Sequence, residues 1–171
     1  FMGDLPGLPS LDTYNPSVAT RILGRDGTVI GELATERREV LKYADIPPVL
    51  RNAILSAEDE RFYQHSGVDY VGVFRAAYSN LVTGGKRQGA STITMQVARN
   101  FFLSSEKTMI RKVYEALLSF RIEASLYKDQ ILELYINQIY LGQRAYGFAA
   151  AAQIYFGKTL QQLSPAEAAM L

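Results

Sequence analysis

Pro48-Val49-Leu50-Arg51-Asn52-Ala53-Ile54-Leu55-Ser56-Ala57-Glu58 is the first stretch of this chain with a helical period. Leu50, Ala53, Ile54 and Ala57 recur at the spacing that gathers apolar side chains on one face of an α-helix. The densest polar cluster of the sequence follows at once, Glu58-Asp59-Glu60-Arg61-Phe62-Tyr63-Gln64-His65-Ser66-Gly67. If the helix continues, Ile54 and Leu55 lie one turn before Glu58, and Arg61 and Phe62 one turn after it. Glu58 then sits at the border of the apolar face. A carboxylate there is a candidate general base near neutral pH, and the plainer alternative is a boundary glutamate paired with Arg61.

Upstream, residues 1–17 are proline-rich and have no helical period, so residues 1–19 read as an extended lead-in. Arg25-Asp26-Gly27-Thr28 stands between Ile22-Leu23 and Val29-Ile30, and Asp-Gly between apolar runs signals a hairpin. Downstream the pattern stays helical. Val71 to Val82 forms an apolar-rich segment that ends at Thr83-Gly84-Gly85-Lys86. A second helix opens after Gly89-Ala90-Ser91-Thr92 and runs to Phe102. A long one starts near Thr108 and breaks near Tyr127-Lys128-Asp129, and an alanine-rich one spans Phe148 to Tyr155. Ser164-Pro165-Ala166-Glu167 reads as a capping box with proline at the first helical position. The expected fold is mainly α with one small N-terminal β-hairpin.

Composition narrows the function. In 171 residues, 48% are hydrophobic and 20% charged, which fits a folded globular chain and not a disordered one. A net charge of +1 lacks the broad basic footprint of a non-specific nucleic-acid binder. Without cysteine there is no disulfide framework or thiolate metal site, and one histidine, His65, builds neither a zinc cage nor a triad. No apolar run reaches the roughly 20 residues of a spanning helix.

Two further constellations stand out. Gly89-Ala90-Ser91-Thr92 follows a basic, glycine-rich break, and small or hydroxyl residues at a helix start leave N–H groups free to meet an anion. The order of residues is not that of a nucleotide P-loop. An ordinary Ser/Thr cap explains the segment equally well. Arg99, Lys107, Arg111 and Lys112 add cations able to hold a phosphate or diphosphate. On the long helix, Met109, Val113, Leu117, Phe120 and Ala124 share an apolar face. Glu115 lies opposite, one turn from Arg111, where a solvated ion pair is the default. Leu118 and Ile122 share its side, so that side has a claim to a second surface.

Taken together, these segments resemble the peptidoglycan glycosyltransferases, the family found in class A penicillin-binding proteins and their monofunctional relatives. Glu58, Asp59, Phe62, His65 and Gly67 match its first motif. Gly89, Ser91, Thr92, Thr94 and Gln96 match the second, with Met95 where the family has glutamine. Arg111, Lys112 and Glu115 match the third, and Ile131-Leu132-Glu133-Leu134-Tyr135-Ile136-Asn137 and Tyr155-Phe156-Gly157-Lys158 match later segments. The matches run in the family's order from about residue 20 to 171.

The resemblance implies a lysozyme-like, two-lobed α fold over 20–171, truncated at its C-terminus, with 1–19 following a missing membrane anchor. It implies transfer of a glycan chain from its undecaprenyl diphosphate carrier to the 4-hydroxyl of lipid II, with inversion. On that reading Glu58 deprotonates the acceptor. Glu115 orients the diphosphate, directly or through a divalent cation such as Mg or Mn. Arg75, Arg99 and Lys107 offset its charge, while Ser91, Thr92, Gln96 and Asn137 line the cleft. The expected partners are lipid II, the growing strand, the periplasmic side of the bacterial inner membrane and a C-terminal transpeptidase domain in the parent, with no nucleic acid. The competing readings are a glycan-cleaving enzyme of lysozyme type and a non-catalytic membrane-surface module.

Overall fold

The computed structural model describes residues 20–33, 40–83, 89–102 and 109–171. The lead-in 1–19, the basic break 84–88 and Lys107 lie outside the described residues. The chain is mainly helical. Strands β1 (Thr20–Leu23) and β2 (Val29–Leu33) pair antiparallel, with a register shift between Ile22 and Leu23. Between them Asp26 accepts hydrogen bonds from both the amide and the hydroxyl of Thr28, at 3.1 and 2.6 Å. Seven α-helices follow among the described residues: α1 (Pro48–Glu58), α2 (Tyr70–Thr83), α3 (Ile93–Phe102), α4 (Met109–Ser125), α5 (Lys128–Gln138), α6 (Phe148–Phe156) and α7 (Pro165–Met170).

Two compact units divide the described chain. The first spans Asn52–Tyr135 and buries Phe62, Ile93, Val97, Leu118, Ile122, Ile131 and Leu132. Full burial of one such side chain is worth about 1.5–3 kcal/mol relative to exposure. The second takes the described residues up to Arg51 together with Ile136–Leu171. Its core includes Ala145, Ala150 and Ala151, against which Leu141, Ile154 and Leu171 pack. Alanines there let α6 lie close. Gly147, at φ +85°, starts that helix where a Cβ would come within 2.9 Å of the Ile136 and Asn137 carbonyl oxygens. At α7 Ser164 and Glu167 form the expected capping box, and Lys158 adds a 2.6 Å ion pair to Glu167.

Two sequence expectations fail here, for physical reasons. Helix α1 stops at Glu58, so Arg61 and Phe62 do not form its next turn; Phe62–Gln64 is a separate 3-10 turn. Glu58 is therefore an exposed helix end and not a half-buried boundary residue. Helix α4 is also turned the other way. Leu118, Ser119, Ile122 and Glu115 point inward, while Val113 is 59% and Phe120 39% exposed. Close approach decided the face. Gly67, at φ +98°, lies so near α4 that a Cβ would come within 2.8 Å of the Ser119 hydroxyl, which only a small α4 residue tolerates.

Candidate active site

The site lies within the first unit. A cleft of about 640 Å³ is lined by the end of α1 (Ser56 to Glu60), by Asp69, Gly72 and Arg75 around the start of α2, and by Gly89 to Thr92, Gln96 and Arg99 leading into α3. Sequence reasoning named Glu58, Arg75, Ser91, Thr92, Gln96 and Arg99, and the fold brings all six together here.

Glu58 lines the cleft. Gln96 Nε2 donates to its Oε2 at 2.8 Å. Its neighbour Asp59 does different work. That carboxylate is buried, meets His65 Nε2 at 3.0 Å through both oxygens, and accepts the Ile93 amide at 3.0 Å. Asp59 thus satisfies one of the orphan N–H groups at the start of α3, where an anion also suits the helix dipole. One acidic residue ties the loop to α3, and the adjacent one is presented to the cleft.

Thr92 is the residue before α3. Its hydroxyl donates to the Gly67 carbonyl at 2.5 Å and accepts from the Met95 amide at 3.1 Å. Thr92 therefore shapes the cleft wall, and its hydroxyl is already engaged. Met95 is buried, so a thioether suits its surroundings in this chain.

Glu115 contradicts the expectation of a solvated pair. It is fully buried, with Lys112 Nζ donating to Oε2 at 2.6 Å and Arg111 Nε standing 3.1 Å from Oε1 as an ion pair. A buried carboxylate without cations would be prohibitive, and the i−3 and i−4 positions on its own helix supply them. Lys112 also donates to Ser91 Oγ at 2.7 Å, so the chain Glu115–Lys112–Ser91 runs from the interior to the cleft wall. Neither Glu115 nor Arg111 is itself on that wall. Glu115 is linked to the wall through Lys112.

Asn137 belongs to the second unit. It is buried there, and its Oδ1 accepts the Leu41 amide at 2.8 Å while its Nδ2 donates to the Leu41 carbonyl at 2.9 Å. This side chain imitates a strand neighbour for Leu41. Among the described residues no three His, Asp or Glu side chains converge, and both oxygens of Glu115 face cations. A divalent cation here would have to share its ligands with the phosphate oxygens of a substrate.

One buried phenol on α5 feels the charges of the cleft. Tyr135 on α5 is buried, and burial raises its phenol well above the usual range; the nearby Glu58 carboxylate adds to this and Arg99 opposes it. Its phenol thus stays protonated close to both cleft groups. Helical spacing on α5 marks Tyr135 only as core.

Residues 26–171 match the family described as Transglycosylase. The chain belongs to that family. It is 62% identical over 167 residues to Penicillin-binding protein 1A of Neisseria cinerea, covering 98% of this chain and 21% of the relative. Against Penicillin-binding protein 1A of Escherichia coli the identity is 50%, over 98% of this chain and 20% of the relative. The chain thus spans about a fifth of the length of the curated relatives it matches. A crystal structure of Penicillin-binding protein 1A from Haemophilus influenzae overlaps 88% of this chain and 13% of its own, at 26% identity and a TM-score of 0.38.

Proposed function

We propose that this transglycosylase domain polymerises peptidoglycan glycan strands, moving the chain from its lipid diphosphate to the 4-hydroxyl of lipid II with inversion. The observation that carries the reading is the placement of Glu58. Its carboxylate opens onto the cleft, Gln96 steadies one oxygen at 2.8 Å, and Arg75 and Arg99 line the same cavity. Glu58 takes the proton of the acceptor hydroxyl as that oxygen attacks the anomeric carbon. The bond to the diphosphate breaks on the opposite face, and the diphosphate leaves with the electron pair. A glycosidase uses water where this reaction uses a sugar hydroxyl. Cations near the departing diphosphate stabilise charge as it develops, which is where electrostatic catalysis has its largest effect.

Arg75 reaches across the cleft mouth to Glu60 at 3.7 Å, an exposed pair of little strength that a diphosphate can displace. Lys112, 40% exposed and anchored by Glu115, carries charge to Ser91 on the wall. Lys107 joins this set on the strength of the family match alone.

The substrate tail stays in the bilayer, and α2 is suited to meet it. Phe74, Tyr78 and Leu81 are 75%, 72% and 82% exposed along one side of that helix. Among the described residues no helix is long and apolar enough to cross a membrane, so contact by α2 is interfacial. The reading places the domain on the periplasmic side of the bacterial inner membrane. The length of its penicillin-binding relatives supports a transpeptidase domain elsewhere in the parent.

Purified lipid II separates the candidate functions. Glycan strands longer than the disaccharide unit, appearing with time on a gel, support polymerisation. Shortening of preformed strands without new synthesis supports the lytic alternative. Neither activity supports a non-catalytic module.

A further inference from the structure

Glu123, near the C-terminal end of α4, has no part in the mechanism above, yet it joins three elements behind the cleft. Its Oε1 accepts the Thr94 hydroxyl of α3 at 2.6 Å and the Lys128 ammonium of α5 at 2.6 Å. Thr94 is fully buried, and the Glu123 and Lys128 side chains are only 8% and 19% exposed. Lys128 Nζ also sits 4.4 Å from the centre of the Phe62 ring, whose edge meets His65 at 6.3 Å between centroids. His65 in turn holds Asp59, which accepts the Ile93 amide. The first turn of α3 is therefore clamped by two carboxylates, Asp59 on the backbone of Ile93 and Glu123 on the side chain of Thr94.

That turn is the one that aims Gln96. Residues 94 and 96 lie about 200° apart around a helix, so a Thr94 anchored on Glu123 turns the buried Gln96 to the opposite, cleft side. Gln96 is the described hydrogen-bond donor to Glu58. We propose that Glu123 is a positioning residue: through Thr94 it sets the rotation of α3 and thereby keeps the Gln96 amide on the Glu58 carboxylate. The proposal rests on the glycan-polymerising reading of the cleft. A solvated face or a simple core contact does not account for the arrangement. A buried carboxylate aimed at a buried hydroxyl is costly unless both are satisfied, and here they satisfy each other two residues from a cleft side chain.

The test is a double-mutant cycle in lipid II polymerisation by the intact protein, with thermal melts alongside. Thr94→Val should lower kcat about 3- to 10-fold, the range of one hydrogen bond, with KM nearly unchanged because Thr94 does not reach the cleft. Thr94→Ser, which keeps the hydroxyl, should recover most of kcat. Thr94→Val combined with Gln96→Met should be no slower than the slower single variant, since both remove the same effect on Glu58. Losses that multiply, or a Thr94→Val variant with wild-type kcat, overturn the proposal. Should Thr94→Val fail to fold, Glu123→Ala enters the same cycle with the same expectation. Unfolding of both would assign the contact to the fold alone and overturn positioning. If the wild-type protein makes no glycan, the functional reading fails instead, which the wild-type lane shows separately.

Discussion

Gln96 and Glu58 come from different helices and meet through a single 2.8 Å hydrogen bond, amide nitrogen to carboxylate oxygen. Gln96 projects from the first turns of α3, and Glu58 is the last residue of α1. Glu58 thus gains orientation from a helix that Asp59, its own sequence neighbour, holds in place through the Ile93 amide.

Removing that donor should slow the reaction without unfolding the domain. Gln96→Met keeps the length and helix propensity of the side chain and leaves the exposed Glu58 to the solvent. Single-turnover polymerisation should slow about 3- to 10-fold, the range of one ordinary net hydrogen bond, because the Glu58 carboxylate stays open to solvent. A rate equal to wild type would show that Glu58 needs no orienting amide.

Glu115→Ala tests the interior of α4. A surface pair at this spacing contributes only tenths of a kcal/mol. Glu115 is fully buried, and its loss leaves Lys112 and Arg111 facing each other without their counter-charge. Unfolding in urea should reveal a loss of about 3 kcal/mol, the low end for a broken buried pair because Lys112 reaches solvent. A loss below about 0.5 kcal/mol would return the pair to the surface class.

Asn137→Ala should lower stability and leave the chemistry alone. Two hydrogen bonds to the Leu41 backbone disappear, which costs about 1–3 kcal/mol for buried groups left unsatisfied. Urea midpoints report the first effect and kcat per folded molecule the second. A variant of full stability but lost turnover would assign Asn137 to the cleft.

Much of this was legible in the sequence, and the exceptions have definite causes. Helical spacing located α1 to α6, because apolar periodicity survives wherever one helix face is buried. Glu58, Ser91, Thr92 and Gln96 were legible because they fall in motifs around a helix end, while Arg99 was marked as one of a run of cations and Arg75 came from the resemblance alone. The inward face of α4 was not legible. Its hydrophobic wheel points Val113 and Phe120 inward, but burial followed the small Ser119 and a carboxylate neutralised by its own helix. The backbone contact of Asn137 was hidden for a related reason. A buried amide serves a backbone 96 residues away, and no local pattern records that partner.

The exposed side of α2 offers a prediction about the bilayer. Phe74 and Leu81 are mostly solvent-facing, so changing both to serine removes apolar area that the fold does not use. Binding to anionic vesicles should weaken, at about 25 cal/mol per Å² of apolar surface withdrawn from the interface, while the melting temperature holds. Unchanged vesicle binding would move the membrane contact to another surface, and unfolding of the double variant would make these residues core.

The most direct measurement is strand synthesis from lipid II by Glu58→Gln beside wild type, with a thermal melt of each. Glutamine keeps the size and hydrogen-bonding reach of the side chain and removes the proton acceptor. The variant should fold and still bind lipid II, with polymerisation lowered by about 100-fold or more, the lower range of general-base catalysis. A folded Glu58→Gln variant with more than about a tenth of wild-type synthesis would contradict a base role for Glu58, because no base worth so little matches general-base catalysis.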